Sequence, residues 1–313
     1  MQTGARFGVG VVLTCWILTA GCVRPAARLP LELREIKDPE AVVQRIDEDP
    51  VKFLRDCLAE TAKARQFTAH FQRQERLGLF AELRPLENIQ AEHREAPFSV
   101  RFTWMGGDSE YQQCVYVQGR DEDKVVLLPR KGLLGLPPEP QSYPPEMAVT
   151  FGKSRNPITD FGPRRMLERT LDRIEKAAPL GGVKIKVLPP VELPPADEPC
   201  YHLELRFPEG DPFKCKLQDL YIRMRTYVPV ATWLWLPGSP ERTSATLDGM
   251  YVYAGINPDA VLTDANFVIE AERIPAKGSG KNAGKGKGKT VEKGKAQAAK
   301  PPPPAESDQP DRQ

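Results

Sequence analysis

The chain has 313 residues, 40% of them hydrophobic and 27% charged, a composition that suits folded domains rather than a wholly disordered chain. Its 44 basic and 42 acidic side chains leave a formal net charge of +2, a balance that singles out no class of partner. Six cysteines occur without a CxxC or Cys/His ligand spacing, which gives no support to a zinc site.

In chain order, the first element is an apolar run. Residues 7–23 carry no charge between Arg6 and Arg24, which is short for a helix that must cross a hydrocarbon core needing about 20 residues. A basic start, a short apolar stretch and then small residues describe a secretory signal over residues 1–21. Its end, Ala20-Gly21-Cys22, resembles a bacterial lipobox, with Thr19 where Leu is usual. The resemblance implies cleavage before Cys22 and a lipid attachment on its sulfur. Two or more acyl tails are then available, enough for stable anchoring. Residue 23 is Val and not Asp, so the expected location is the cell envelope, at the periplasmic face of an outer membrane.

Residues 22–37 read as a tether, and residues 38–275 as the folded domain. Asp38-Pro39 supplies an N-cap and a first-turn proline for a short helix through "EAVVQRI", and Asp49-Pro50 repeats the device. The helix after it puts Val51, Leu54, Cys57 and Leu58 on one stripe. The pattern then changes to strands. "FTAHFQRQERL" sets Phe67, Ala69 and Phe71 against Thr68, His70 and Gln72. "FSVRFTWM" sets Phe98, Val100, Phe102 and Trp104 against Ser99, Arg101 and Thr103. "YQQCVYVQG" and "DKVVLLP" follow, separated by the charged turn "RDED". Together they form an antiparallel meander with one apolar face.

Residues 130–147 are rich in Gly and Pro, and their five prolines predict a loop without regular structure. A second helix in "GPRRMLERTLDRIEKAA" starts at Pro163 and buries Leu167, Leu171, Ile174 and Ala178. A proline-rich connection, "LPPVELPPADEP", leads into "CYHLELRF", "LQDLYIRMRT", "VPVATWLWLP" and "GMYVYAGI". An exported protein can form disulfides. A simple hairpin over "FPEGDPF", however, pairs Phe207 with Phe213 and sets Cys200 opposite Leu220. Cys215 then lies roughly 16 Å along the strands from Cys200, beyond the limit of about 7 Å for bridged Cα atoms. From residue 276 the composition collapses. Residues 277–300 hold eight lysines and six glycines, too little apolar surface to offset the entropy of ordering, so a disordered tail is expected over 276–313.

The order of helix, meander, interrupting helix and meander resembles the lipoprotein-carrier (LolA/LolB-like) architecture. That resemblance implies an α+β fold in which a curved antiparallel sheet, an incomplete β-barrel, wraps a few helices. "FTAHFQRQERL", "FSVRFTWM", "YVPVATWLWLP" and "DGMYVYAGINPDAVLTDANF" also resemble an uncharacterised family of exported bacterial proteins known only as a domain of unknown function, from about residue 50 to 270. The family has no agreed activity and implies no catalytic residues.

No chemistry is expected from the residues themselves. His70, His93 and His202 fall in or beside separate strands on mostly polar faces, without helical ligand spacing. No GxSxG occurs, "GVGVV" and "GLLGL" lack a phosphate-loop context, and cysteines in apolar settings behave as small hydrophobes. Asp108, Glu110, Asp121, Glu122 and Asp123 read as charged turns rather than cation ligands. The expectation is a non-enzymatic protein with no catalytic residues, metal or cofactor. Candidate ligand-binding residues are the aromatic side chains assigned to the inward face, Phe98, Phe102, Trp104, Trp233, Trp235 and Tyr251. Leu133, Leu134 and Leu136 are assigned to the mouth. Either the helices fill this concavity, giving a protein-interaction or sensor module, or a cavity remains for a lipid, another apolar ligand or a lipidated protein. The lysine-rich tail suits anionic lipid or polysaccharide. It does not suit nucleic acid, because no aromatic residue is interleaved for base stacking.

Overall fold

Asp49 sets the entry of the chain into its domain. In the computed structural model its carboxylate accepts the backbone N–H of Lys52 at 2.9 Å, and Pro50 occupies the first helical turn. The described residues are 34–35, 40–107, 109–132, 137–193, 198–208, 216–237 and 241–269. Cys22, Asp38-Pro39, Asp108, Leu133, Leu134, Leu136, Cys215 and the expected signal and tail lie outside them. By its contacts the chain divides into Met1–Glu272, which holds all described residues, and Arg273–Gln313.

Strand β1 (Arg34–Glu35) precedes helices α1 (Glu40–Glu48) and α2 (Pro50–Thr61). The first meander comprises β2 (Gln66–Leu77), β3 (Glu82–Leu83), β4 (Glu87–Glu95), β5 (Phe98–Trp104), β6 (Tyr111–Val117), β7 (Val125–Pro129) and β8 (Gln141–Tyr143). Helices α3 (Met147–Thr150) and α4 (Pro163–Ala177) interrupt it. The second meander is β9 (Lys184–Leu193), β10 (Glu198–Arg206), β11 (Leu217–Arg223), β12 (Pro229–Trp235) and β13 (Leu247–Asn257). All pairings are antiparallel. The sheet has 13 strands in the order β1-β9-β10-β11-β12-β13-β2-β4-β5-β6-β7-β8, with β3 paired to β2. The two meanders therefore join where β13 meets β2, and among the described residues β1 and β8 are the end strands of this order.

The sheet must curl. One continuous core gathers Leu54 of α2 and Leu167 of α4 with side chains from β10 through β6, among them Leu203, Leu220, Phe71 and Phe102. Laid flat, the strands from β10 to β6 would span about 34 Å at the usual inter-strand spacing, whereas a helix is about 10 Å across. Only a sheet bent around α2 and α4 brings both of its wings to the same helices. Because the order of the described strands does not close on itself, it is an incomplete barrel, the α+β arrangement that the element order implied.

The stripes on both helices follow the sequence spacing, with one shift: α4 buries Ala177 and leaves Ala178 exposed. Other departures have local causes. "LPPVEL" belongs to β9 and is not a connection. Pro189 and Pro190 fall in the register shift between Cys200↔Val191 and His202↔Leu188, a bulge where the missing N–H breaks no ladder bond. Within the expected loop 130–147, residues 141–143 add β8 to the edge of β7. The β10–β11 hairpin pairs Cys200 with Arg223 and Arg206 with Leu217, so its loop is wider than the turn read from "FPEGDPF". The second face of the sheet is also covered. Trp233, Trp235, Met250 and Val252 form a separate buried cluster there.

Candidate functional site

Strand β2 carries the site, because its inward row changes character along its length. Phe67, Ala69 and Phe71 are buried in the core, and two further steps of the same alternation place Arg73 and Glu75 on that face. Cross-strand register then assembles a polar row. Arg73 faces Glu87 on β4 and Tyr251 on β13, while Trp104 on β5 faces Ile89, two residues further along β4.

The hydrogen bonds in this row are specific. Glu87 accepts from Arg73 Nε at 2.5 Å and from Trp104 Nε1 at 2.9 Å. Arg73 Nη1 donates to Ser154 Oγ at 3.0 Å. Glu75 Oε1 accepts from the Tyr251 hydroxyl at 2.6 Å and from the Arg155 backbone N–H at 3.3 Å. Asn156 Nδ2 donates to the same hydroxyl at 3.3 Å. Burial works against the charge on Arg73, but the Glu75 and Glu87 carboxylates outweigh it and hold its pKa above the usual guanidinium value. Burial first and Glu75 second raise the Tyr251 hydroxyl well above its ordinary value.

Beside this row lies a cavity of about 360 Å³. Phe71, Phe102, Trp104, Val125, Leu127 and Tyr251 supply the sheet wall, and Met147, Ala148, Phe151 and Ile158 close it from α3 and the segment after it. Phe161 forms one end. It packs edge-on against Phe102 at 4.8 Å and Phe71 at 5.2 Å between ring centroids. Gly162, at φ +117°, then turns the chain into α4 and donates its N–H to the Tyr253 hydroxyl at 3.3 Å, a backbone conformation that favours glycine. At the outer rim Phe151 is 67% exposed. The β2–β3 turn adjoins it: a Cβ on Gly152 would stand 3.6 Å from the Gly78 backbone. The tip residues of that turn, Leu79 and Phe80, are 93% and 83% exposed.

Of the candidate ligand-binding residues, Phe102, Trp104 and Tyr251 line one cavity. Phe98 lies in the same core but among His93, Tyr116 and Arg165 rather than on the cavity wall. Trp233 and Trp235 are on the opposite face of the sheet: Trp233 faces Met250, one residue out of phase with Tyr251. Leu133, Leu134 and Leu136 lie outside the described residues. Sequence reading passed over Arg73, Glu75 and Glu87, although period-two alternation from Phe67 was signal enough to put Arg73 and Glu75 on the inward face.

The titratable residues are placed as follows. His93 is not on a polar face; it is buried against Phe67, Phe98 and Phe161. His202 is buried too, stacked on Tyr221 and bonded through Nε2 to Asp219 Oδ1 at 3.1 Å. Burial pushes the Cys57 and Cys114 thiols up to about 12, which leaves them neutral and poorly nucleophilic. Glu110 pairs with Lys153 and Glu122 with Lys124, while Asp123 accepts the Gly119 N–H. Among the described residues no three His, Cys, Asp or Glu side chains gather as metal ligands.

The model of a family described as protein of unknown function (DUF1571) matches residues 64–273. No curated protein matches the sequence. Among solved structures the chain is similar to the crystal structure of MucB, at 13% identity over 71% of this chain and 64% of that one, with a TM-score of 0.42. It is also similar to the lipoprotein LppX of Mycobacterium tuberculosis, at 12% identity, 68% and 98% coverage and a TM-score of 0.35. For a LolA superfamily protein of Nitrosomonas europaea the values are 10%, 69% and 97%, and 0.29. The chain thus spans slightly less than two thirds of the MucB chain.

Proposed function

Because this chain belongs to the family described as protein of unknown function DUF1571, which brings no activity with it, we propose a role from the cavity itself. The protein is a non-enzymatic, lipid-anchored component of the cell envelope that binds a lipid or another apolar ligand inside the half-barrel. The observation that carries this reading is the cavity of about 360 Å³ between the curled sheet and α3. Its volume falls in the range of about 300–1,000 Å³ typical of ligand pockets, which are mostly apolar with a few placed polar groups.

The rim adds to it. Leu79 and Phe80 stand exposed beside the opening, where apolar side chains can meet a membrane surface or a lipidated partner. In this proposal acylated Cys22 tethers the domain to the periplasmic face of the outer membrane, and the lysine-rich segment 277–300 contacts anionic headgroups or polysaccharide. Native mass spectrometry of the full chain, released gently from membranes, tests the reading. It should show a bound species of lipid mass, displaced when Ala148→Trp fills the cavity. A mass spectrum without any adduct, from protein that also fails to take up lipid from vesicles, contradicts it.

A further inference from the structure

The apolar cavity has unlike ends. At the rim Phe151 is 67% exposed, whereas Phe161, which also lines it, is 6% exposed. Phe161 packs against residues of the cavity wall: Phe102 at 4.8 Å, Phe71 at 5.2 Å and Tyr253 at 5.4 Å between ring centroids. It also packs against Phe67 and His93, at 6.2 and 6.0 Å, which belong to the buried interior beyond and do not line the cavity. The Phe161 ring is therefore a partition between the cavity and the rest of the half-barrel interior.

Backbone bonds hold this partition as well as ring contacts. The Phe161 N–H donates to the Ile158 carbonyl at 3.1 Å, closing the single turn Ile158–Asp160. The next N–H, that of Gly162, is fixed on the Tyr253 hydroxyl. A ring with this many neighbours cannot swing aside for the end of a chain without forfeiting the contacts that place it. The way around it is polar. Asp160 and Arg169 also line the cavity, and Arg169 Nη1 donates to the Asp160 carbonyl at 2.6 Å and stands 3.6 Å from its carboxylate. An apolar chain end pushed against that pair would desolvate it and offer no hydrogen bond in return.

We propose that Phe161 is the stop that sets the longest acyl chain the cavity accepts. This rests on the reading of the cavity as an apolar-ligand site and adds a selectivity to it. Each further methylene buried in the cavity strengthens binding about fourfold. That gain continues only until the methyl end reaches the ring. A longer chain leaves its extra carbons at the rim and gains nothing more.

The test titrates the full chain with saturated monoacylglycerols from octanoyl to stearoyl, each below its solubility limit, in competition with a fluorescent fatty-acyl probe. Affinity should rise about fourfold per carbon and then level off at one chain length. Phe161→Ala opens the cavity towards Phe67 and His93, so its plateau should begin several carbons later. Phe161→Leu keeps much of the apolar bulk and should move the plateau by fewer carbons in the same direction. Phe151→Ala, at the exposed rim, should lower all affinities alike and leave the plateau where it is. A steady rise up to stearoyl in the wild type overturns the stop and leaves the cavity reading standing. So does a plateau that stays at the wild-type length when Phe161 is shortened, or one that moves equally with Phe151→Ala. Absence of binding at every chain length contradicts the cavity reading and the stop together. Should Phe161→Ala fail to fold, the plateau of Phe161→Leu decides between these outcomes.

Discussion

Asp219 gathers several hydrogen bonds on the second face of the sheet. Fully buried on β11, it accepts from Trp235 Nε1 and Arg242 Nε, both at 2.7 Å, and holds His202 at 3.1 Å. Burial would raise its pKa, but His202 and Arg242 outweigh burial and keep it below the ordinary carboxylate value. A depressed folded-state pKa means that the unfolded chain binds the proton more strongly. The stabilisation is therefore present above the unfolded value of about 3.9 and is lost as pH falls through the folded one. Asp219→Asn should destabilise the domain by about 1–3 kcal/mol at neutral pH, since it removes the buried carboxylate that Trp235 and Arg242 bond to. Urea unfolding at pH 7 and pH 3 should show the gap to the wild type narrowing in acid; a constant gap contradicts this assignment. Residues of this kind were the least legible in the sequence. His202 reads as a solvated strand residue because nothing local reveals Asp219, seventeen positions away, as its partner. Arg73 and Glu75 hid differently: their parity was plain, but two charged side chains at the end of an apolar row read as the row's end and not as its polar pole.

At the scale of elements, the helices and most strands were legible because their signals are local. Asp49-Pro50 caps α2, and alternation fixes the faces of β2 and β5. The faces of β12 were not, because both of its rows are largely apolar and largely buried. Which row meets the helices is decided by its register with β13, where Trp233 faces Met250 and Thr232 faces Tyr251. The prolines of β9 misled for a related reason, since a bulge that accommodates them exists only once β10 is paired. The β2–β3 turn gives an element-level expectation. Leu79 and Phe80 are almost wholly exposed, so replacing both with Ser should change unfolding free energy by no more than about 0.5 kcal/mol. Uptake of a fluorescent fatty-acyl probe from vesicles should nevertheless slow several-fold if the rim meets the membrane. Unchanged uptake, or a clear loss of stability, removes the turn from the loading path.

For the whole molecule, curvature is the decisive property. A flat sheet of these strands would have left α2 and α4 packed on one wing, with no room for a chamber beside α3. The bend of the sheet around them gathers Phe71, Phe102, Trp104 and Tyr251 around one void, while Trp233 and Trp235 back onto the other side. The central claim is that an acyl chain enters this void. A palmitoyl probe with a photoreactive diazirine at its methyl end, irradiated in complex with the full chain and mapped by peptide mass spectrometry, tests it directly. Labelling should concentrate on peptides carrying Phe71, Phe102, Ala148 and Phe161, and Ala148→Trp should suppress it. Labelling confined to peptides carrying Trp233 and Trp235, or insensitive to Ala148→Trp, would contradict the account.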